Sequence, residues 1–253
     1  FTNVIAAPIP AILRHFSAPV TLDDGLTIEQ RLSQMAHDPD RYTRWEAGQS
    51  IARAIILSGA RMHAAALAAA LGRELDRAQE DPAFAALALR LPDLSELILA
   101  TPTPDPEALF SAREALRREI ATTLHVRLDA LARAKGDVPF SPDAGPAGLR
   151  ALKSAALDLL ASLGEGAGDA FEIAFATAAN MTESVAALEA LGASGNPAFD
   201  TALAQFHDRW RANPLVIDKW FAVQAASPRD TFSTRVRERI GARLESAYNG
   251  HIA

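Results

Sequence analysis

The sequence predicts an all-α chain of consecutive helices joined by short turns, and three observations carry that prediction. Hydrophobic residues make up 49% of the 253 residues while aromatics are only 6%; alanine dominates, a composition of close-packed helices rather than strands. Seven of the fifteen prolines follow Asp, Asn or Ser. Such a side chain at an N-cap accepts an orphan backbone N–H, and proline at the first helical position lacks a donor that position cannot use. Between these signals apolar residues recur every three or four positions. The signals predict about ten to twelve helices. Their irregular separations show no strict repeat, and the helix pairs can stack either as a bundle or as a HEAT-like solenoid.

Residues 1–22 differ from the rest. Asn3–Ala6, Ile12–Phe16 and Pro19–Leu22 are short, apolar and interrupted by proline, so they read as extended pieces. Without partner strands they are expected to lie across the helices or to be mobile. Helical periodicity starts at Thr27 with Ile28, Leu32, Met35 and Ala36, and Asp38-Pro39 punctuates it. The next helix sets Tyr42, Trp45, Gln49, Ala52 and Ile56 on one side before Gly59, and Arg61–Ala78 repeats leucine at 67, 71 and 75. Asp81-Pro82 opens a short helix through Leu89, which Pro92 closes.

The proline-dense stretch from Thr101 to Pro106 reads as a rigid connector. Asp105-Pro106 then starts the longest helix, ending near Gly136; Asp137–Gly148 is expected to be a loop containing the cap pair Ser141-Pro142, and Leu149–Leu163 an amphipathic helix. Asn196-Pro197, Asn213-Pro214 and Ser227-Pro228 read as three successive helix starts around Phe206, Trp210, Trp220 and Phe221. The helix from Pro214 has apolar residues around most of its circumference, which predicts burial on several sides and a place at the centre of the fold. Arg229–Ala253 reads as one arginine-rich amphipathic helix, stopped at Tyr248-Asn249-Gly250.

Four blocks, in order, resemble one known family: Phe16–Val20 (FSAPV), Arg44-Trp45-Glu46-Ala47 with Gln49-Ser50, Ala178–Glu183 continued through Leu191, and Asn213–Pro228 (NPLVIDKWFAVQAASP). The family is the bacterial aminopeptidase N family of zinc exopeptidases, and the resemblance to its C-terminal helical region covers residues 1 to 230. It favours the HEAT-like superhelical array of antiparallel helix pairs over the bundle. It also implies that residues 1–22 are the end of a β-sandwich domain or an extended linker, and that 23–253 are the helical domain. The tail 229–253 does not align with the family. A first residue Phe1 in place of methionine is what an excised or processed piece would show.

No chemistry-bearing constellation accompanies the resemblance. A zinc aminopeptidase needs H-E-x-x-H on a helix, which sets two imidazoles on one face. The histidines here are His15, His37, His63, His125, His207 and His251; no two lie within four residues, and none is followed by Glu. The family's G-x-M-E-N motif is absent too. His207-Asp208 and His37-Asp38 are neighbours in sequence, but adjacent helical residues point apart. Gly164–Gly168 follows a helix and lacks Lys-Ser/Thr, so it is a helix–helix turn rather than a phosphate loop. There is no G-x-S-x-G elbow. Arg235, Arg237, Arg239 and Arg243 are interrupted by Glu238 and followed by Glu245, as on a solvated helix face.

No catalytic, cofactor-binding or metal residue is therefore assigned, and zinc is expected only in the parent enzyme. With no cysteine in the chain, disulfides and thiolate sites are excluded. A net charge of −6 and a pI near 5.5 disfavour nucleic acid. No apolar run is long enough to span a membrane, and a cytoplasmic location is expected. The expected function is that of an accessory helical domain, inactive alone, that shapes peptide access to the active site of such an enzyme. Its expected partners are the catalytic and β-sandwich domains and the peptide substrates. The alternative is a free-standing α-solenoid that binds a peptide or protein.

Overall fold

The structure is a computed structural model that describes residues 8–18, 20, 23–136 and 139–227. The expected strand Asn3–Ala6, most of Pro19–Leu22 and the whole tail 229–253 lie outside the described residues.

Each helix begins where the local chemistry allows it. In α1 (Ile28–His37), Thr27 accepts from the Gln30 N–H while the Gln30 side chain accepts from the Thr27 N–H, a reciprocal capping box. In α2 (Arg41–Ser58) the cap is Asp40, and Gly59 ends the helix at φ 70°. The 3₁₀ turn Arg61–His63 leads into α3 (Ala64–Asp76). Asp81 caps α4 (Pro82–Ala88) by accepting from the Phe84 N–H, and Asp105 caps α6 (Pro106–Ala132) by accepting from Glu107 and Ala108. Between these two lies α5 (Leu94–Leu99), which the sequence did not announce. The rest are α7 (Ala144–Ala161), the 3₁₀ turn Gly164–Ala167, α8 (Ala170–Ala176), α9 (Met181–Ala193), α10 (Phe199–Trp210) and α11 (Pro214–Ala226).

Three cap–proline pairs act differently from expectation. Asp38, Ser141 and Asn196 each accept a hydrogen bond from the N–H two residues on, at Asp40 (2.8 Å), Asp143 (3.1 Å) and Ala198 (2.8 Å). They build side-chain turns, and the helix cap lies two residues further on, at Asp40, Asp143 or Ala198. For this reason α7 reaches back to Ala144, into the expected loop 137–148.

The described residues form no strand, and the order of packing is that of an array. Helix α6 packs on α2, α3, α5 and α7; α7 on α4, α6 and α9; α9 on α7, α8, α10 and α11. Each helix thus meets mainly its neighbours, the arrangement expected of an all-α superhelical array. The centre is α7, where Leu152, Leu157, Leu159 and Leu160 are at most 2% exposed, with Ala156 fully buried among them. Alanines at the crossings let backbones approach: a Cβ on Gly148 would lie 2.9 Å from the Ala83 nitrogen in α4.

Two expectations are corrected here. Helix α11 is not the centre, because its main packing partners among the described residues are α9 and α10. Val216, Trp220 and Val223 are buried, Phe221 and Trp210 are half-buried, and Leu215 is 78% exposed. The stretch Ile12–Phe16 is not extended: Arg14–Phe16 is a 3₁₀ turn with Leu13, His15 and Phe16 in the left-handed region. This turn lies across α2, where the His15 N–H reaches Asp40 at 3.3 Å and Phe16 packs on Tyr42 at 5.3 Å.

Candidate functional site

A cleft of about 680 Å³ lies between Ile12, Leu13 and Val20, α1, α2 and the end of α5. Its floor is one face of α2, where Tyr42, Glu46, Ser50 and Arg53 follow each other at three- to four-residue spacing. The sequence pattern groups Tyr42 with Trp45, Gln49, Ala52 and Ile56 instead, and nothing in it sets Tyr42 beside Glu46, Ser50 and Arg53.

Charge is organised around Arg53. Its guanidinium donates to Glu46 at 2.5 Å, to Glu96 of α5 at 2.8 Å and to the Ser50 hydroxyl at 3.1 Å. Across the cleft, Arg31 of α1 holds Asp24 at 2.6 Å, and the Asp24 side chain is only 10% exposed. Burial, aided by the nearby Glu46 carboxylate, pushes the Tyr42 phenol above its ordinary value, so it is protonated at neutral pH. Beneath the rim, burial tends to raise the Asp40 carboxyl, but hydrogen bonds from the Thr43 N–H and hydroxyl and from His15 outweigh it and hold it low.

Two further features lie elsewhere. A cleft of about 260 Å³ separates α7, α9 and α11, with Glu189 at its edge. Burial and the Asp158 carboxylate push the Glu189 carboxyl up. An open groove runs along α6 past Arg117, which donates to both oxygens of Glu114 at 2.8 Å and to Asp158 at 2.9 Å.

The histidines do not converge. His15 pairs with Asp40 at 3.0 Å, His63 faces Glu29 at 4.0 Å, and the His207 ring packs on Trp220 at 4.9 Å. His37 ends α1, His125 lies on α6, and His251 is outside the described residues. His207 lies 3.5 Å from Asp208, with both side chains open to solvent. Among the described residues no three His, Asp or Glu side chains gather so as to hold a metal ion, so they do not fit a zinc site. Nor is any described helix long and apolar enough to cross a membrane.

Residues 28–244 match the family described as "Domain of unknown function (DUF3458_C) ARM repeats". Aminopeptidase N of Caulobacter vibrioides is 39% identical over 239 residues, 90% of this chain and 27% of that protein. Aminopeptidase N of Escherichia coli is 34% identical over 237 residues, again 90% of this chain and 27% of its own length. The crystal structure of Legionella pneumophila aminopeptidase A in complex with aspartic acid is similar with a TM-score of 0.78 and 27% identity. That likeness covers 95% of this chain and 30% of that one. The chain therefore spans 27% of the length of the two curated relatives named.

Proposed function

The chain belongs to the DUF3458_C family of ARM-repeat domains and corresponds to the C-terminal helical region of aminopeptidase N, and from this we propose that it is an accessory domain of a zinc aminopeptidase. The observation that carries the reading is 39% identity, across 90% of this chain, to an aminopeptidase N of which it represents 27%. In this reading the parent enzyme removes N-terminal residues from peptides in the cytoplasm. Its zinc, the ligands of that zinc and its acid–base residue belong to the remainder of the polypeptide.

The described residues supply shape instead of bond-breaking groups. A repeat array packed neighbour to neighbour offers a long surface and few deep sites, which suits a wall that limits which peptides reach a reaction centre. Residues 1–22 serve as the connection to a β-sandwich domain, and 23–253 as the helical unit. No step of hydrolysis is assigned to any residue here, since none fits the metal.

The test starts from the encoded polypeptide, which should contain H-E-x-x-H upstream of Phe1. Deleting the helical region from that enzyme should change the ratio of kcat/KM for longer peptides to that for a chromogenic alanyl amide. An encoded polypeptide of these 253 residues without H-E-x-x-H would contradict the proposal, and so would an unchanged ratio in a folded deletion variant.

A further inference from the structure

We propose that the residues after Ser227 dock back onto this domain as an amphipathic helix, with Phe232, Val236, Ile240 and Leu244 facing the cleft between α7, α9 and α11. The inference stands on that cleft and on the sequence that follows it, and goes beyond the accessory-domain reading without resting on it.

The cleft is a trough of small apolar residues. Ala161 of α7, Ala186, Ala190 and Ala193 of α9, and Val223 and Ala226 of α11 line it. Small side chains at such a face leave room for the larger stripe of another helix. The trough continues, because Ala161 and Ala193 also line the open groove along α6. That groove reaches Phe110, which is 50% exposed.

The path of the backbone selects the occupant. Ser227, the last described residue, itself lines the cleft, and its hydroxyl donates to the Gly192 carbonyl of α9 at 3.3 Å. Phe232 follows five residues later, within about 17 Å of extended chain. A segment tethered at the rim has a high effective concentration there, so it outcompetes a free partner of equal affinity. Phe232, Val236, Ile240 and Leu244 recur at every fourth position, which is one face of a helix. A helix over 232–244 is about 20 Å long, enough to pass the cleft residues of α9 and enter the groove beyond.

Charge agrees with the same orientation. The charged residues lining the cleft are Asp158 and Glu189, with no basic residue among them. Asp158 accepts from Arg117 at 2.9 Å. Even so, burial and the Asp158 carboxylate raise the Glu189 carboxyl against the opposing effect of Lys219, so the negative field is not fully neutralised. Arg235, Arg239 and Arg243 each stand one residue before a member of the apolar stripe and lie to one side of it. Glu238 and Glu245 fall on the opposite side of the helix. Seating the stripe in the trough therefore brings arginines toward the two carboxylates and leaves the glutamates in water.

The experiment uses the 253-residue chain, which has no cysteine, so an introduced pair reports one contact. Glu189→Cys is combined in turn with Arg235→Cys, Arg239→Cys and Arg243→Cys, folding is checked by circular dichroism, and the product of mild oxidation is read by non-reducing electrophoresis and mass spectrometry. At least one pair should close an intramolecular disulfide at least about tenfold faster than the same arginine position paired with Glu29→Cys on α1. In the unaltered chain, amides 232–244 should exchange hydrogen at least about tenfold more slowly than the intrinsic rate of their sequence, since a docked helix is protected. Val236→Asp with Ile240→Asp should abolish that protection. Disulfides no faster than with Glu29→Cys, exchange at the intrinsic rate, or protection that survives the double aspartate variant would each overturn the proposal. So would a disulfide found only between two chains, which would make a second copy the occupant.

Discussion

Lys153 of α7 and Glu183 of α9 form an ion pair at 3.4 Å, with side chains only 7% and 2% exposed. Lys153 also donates to the Ala134 carbonyl at 2.8 Å, and Glu183 accepts from the Ala179 N–H at 3.3 Å. One pair therefore ties the end of α6, the middle of α7 and the start of α9. Removing one partner strands the other charge in the interior, so Lys153→Met should cost about 3–5 kcal/mol. The double variant Lys153→Met/Glu183→Leu should cost less than the sum of the singles. Additive urea midpoints would show the two groups to be independent.

Asp40 joins the N-terminal turn to α2 through His15, and caps that helix through Thr43. Asp40→Ala should cost about 1–2 kcal/mol at pH 7. The folded carboxyl is held below the usual aspartate value of 3.8. Its contribution is therefore present above that value and disappears as pH falls through the lower, folded one. Stability curves of the parent chain and the variant should converge below pH 3.8; a gap that widens on acidification would contradict this assignment.

Trp220 is 7% exposed, donates its indole N–H to the Leu203 carbonyl at 2.9 Å, and packs between His207 and Phe221. Trp220→Ala should cost about 3–5 kcal/mol. Trp220→Phe keeps much of the packing and should lose about 0.5–1.5 kcal/mol through the missing hydrogen bond. Denaturation midpoints that hardly move with either change would place the ring on the surface.

Gly145 and Gly148 lie in the same turns of α7 and should respond oppositely to alanine. A Cβ on Gly145 meets nothing within 4 Å, while one on Gly148 meets Ala83 N at 2.9 Å and Pro82 Cγ at 3.0 Å. Gly145→Ala gains helix propensity but sets a Cβ against the ring of Pro146, so it should stabilise by at most about 0.5 kcal/mol. Gly148→Ala must separate α7 from the backbone of α4 and should destabilise by about 1–3 kcal/mol. Thermal midpoints that shift in the same direction would count against the close α4–α7 crossing.

The helical class was legible in the sequence because alanine content, leucine spacing and cap chemistry are local. Asp81 and Asp105 cap their helices directly, as their Asp-Pro pairs foretold. Asp38, Ser141 and Asn196 do not, because a side chain before proline can close a turn onto the N–H two residues on. The short α5 was missed, since six residues give too little periodicity. The central place of α7 was missed too, because alanines at helix crossings read as neutral, whereas the aromatics of α11 attract attention wherever they lie. The cleft could not be read at all: Asp24, Arg31, Glu46, Arg53 and Glu96 come from separate elements, and only tertiary packing brings them together.

The central claim is that this helical array serves an aminopeptidase without carrying its chemistry. The most direct measurement is equilibrium dialysis of the purified chain against zinc, alongside an assay with a chromogenic alanyl amide. A catalytic site takes three protein ligands with an open position for water, and the described histidines lie on separate elements with no metal-holding cluster among them. The account predicts no retained stoichiometric zinc and no turnover. Zinc that survives dialysis at one per chain, with turnover abolished by a chelator, would contradict it.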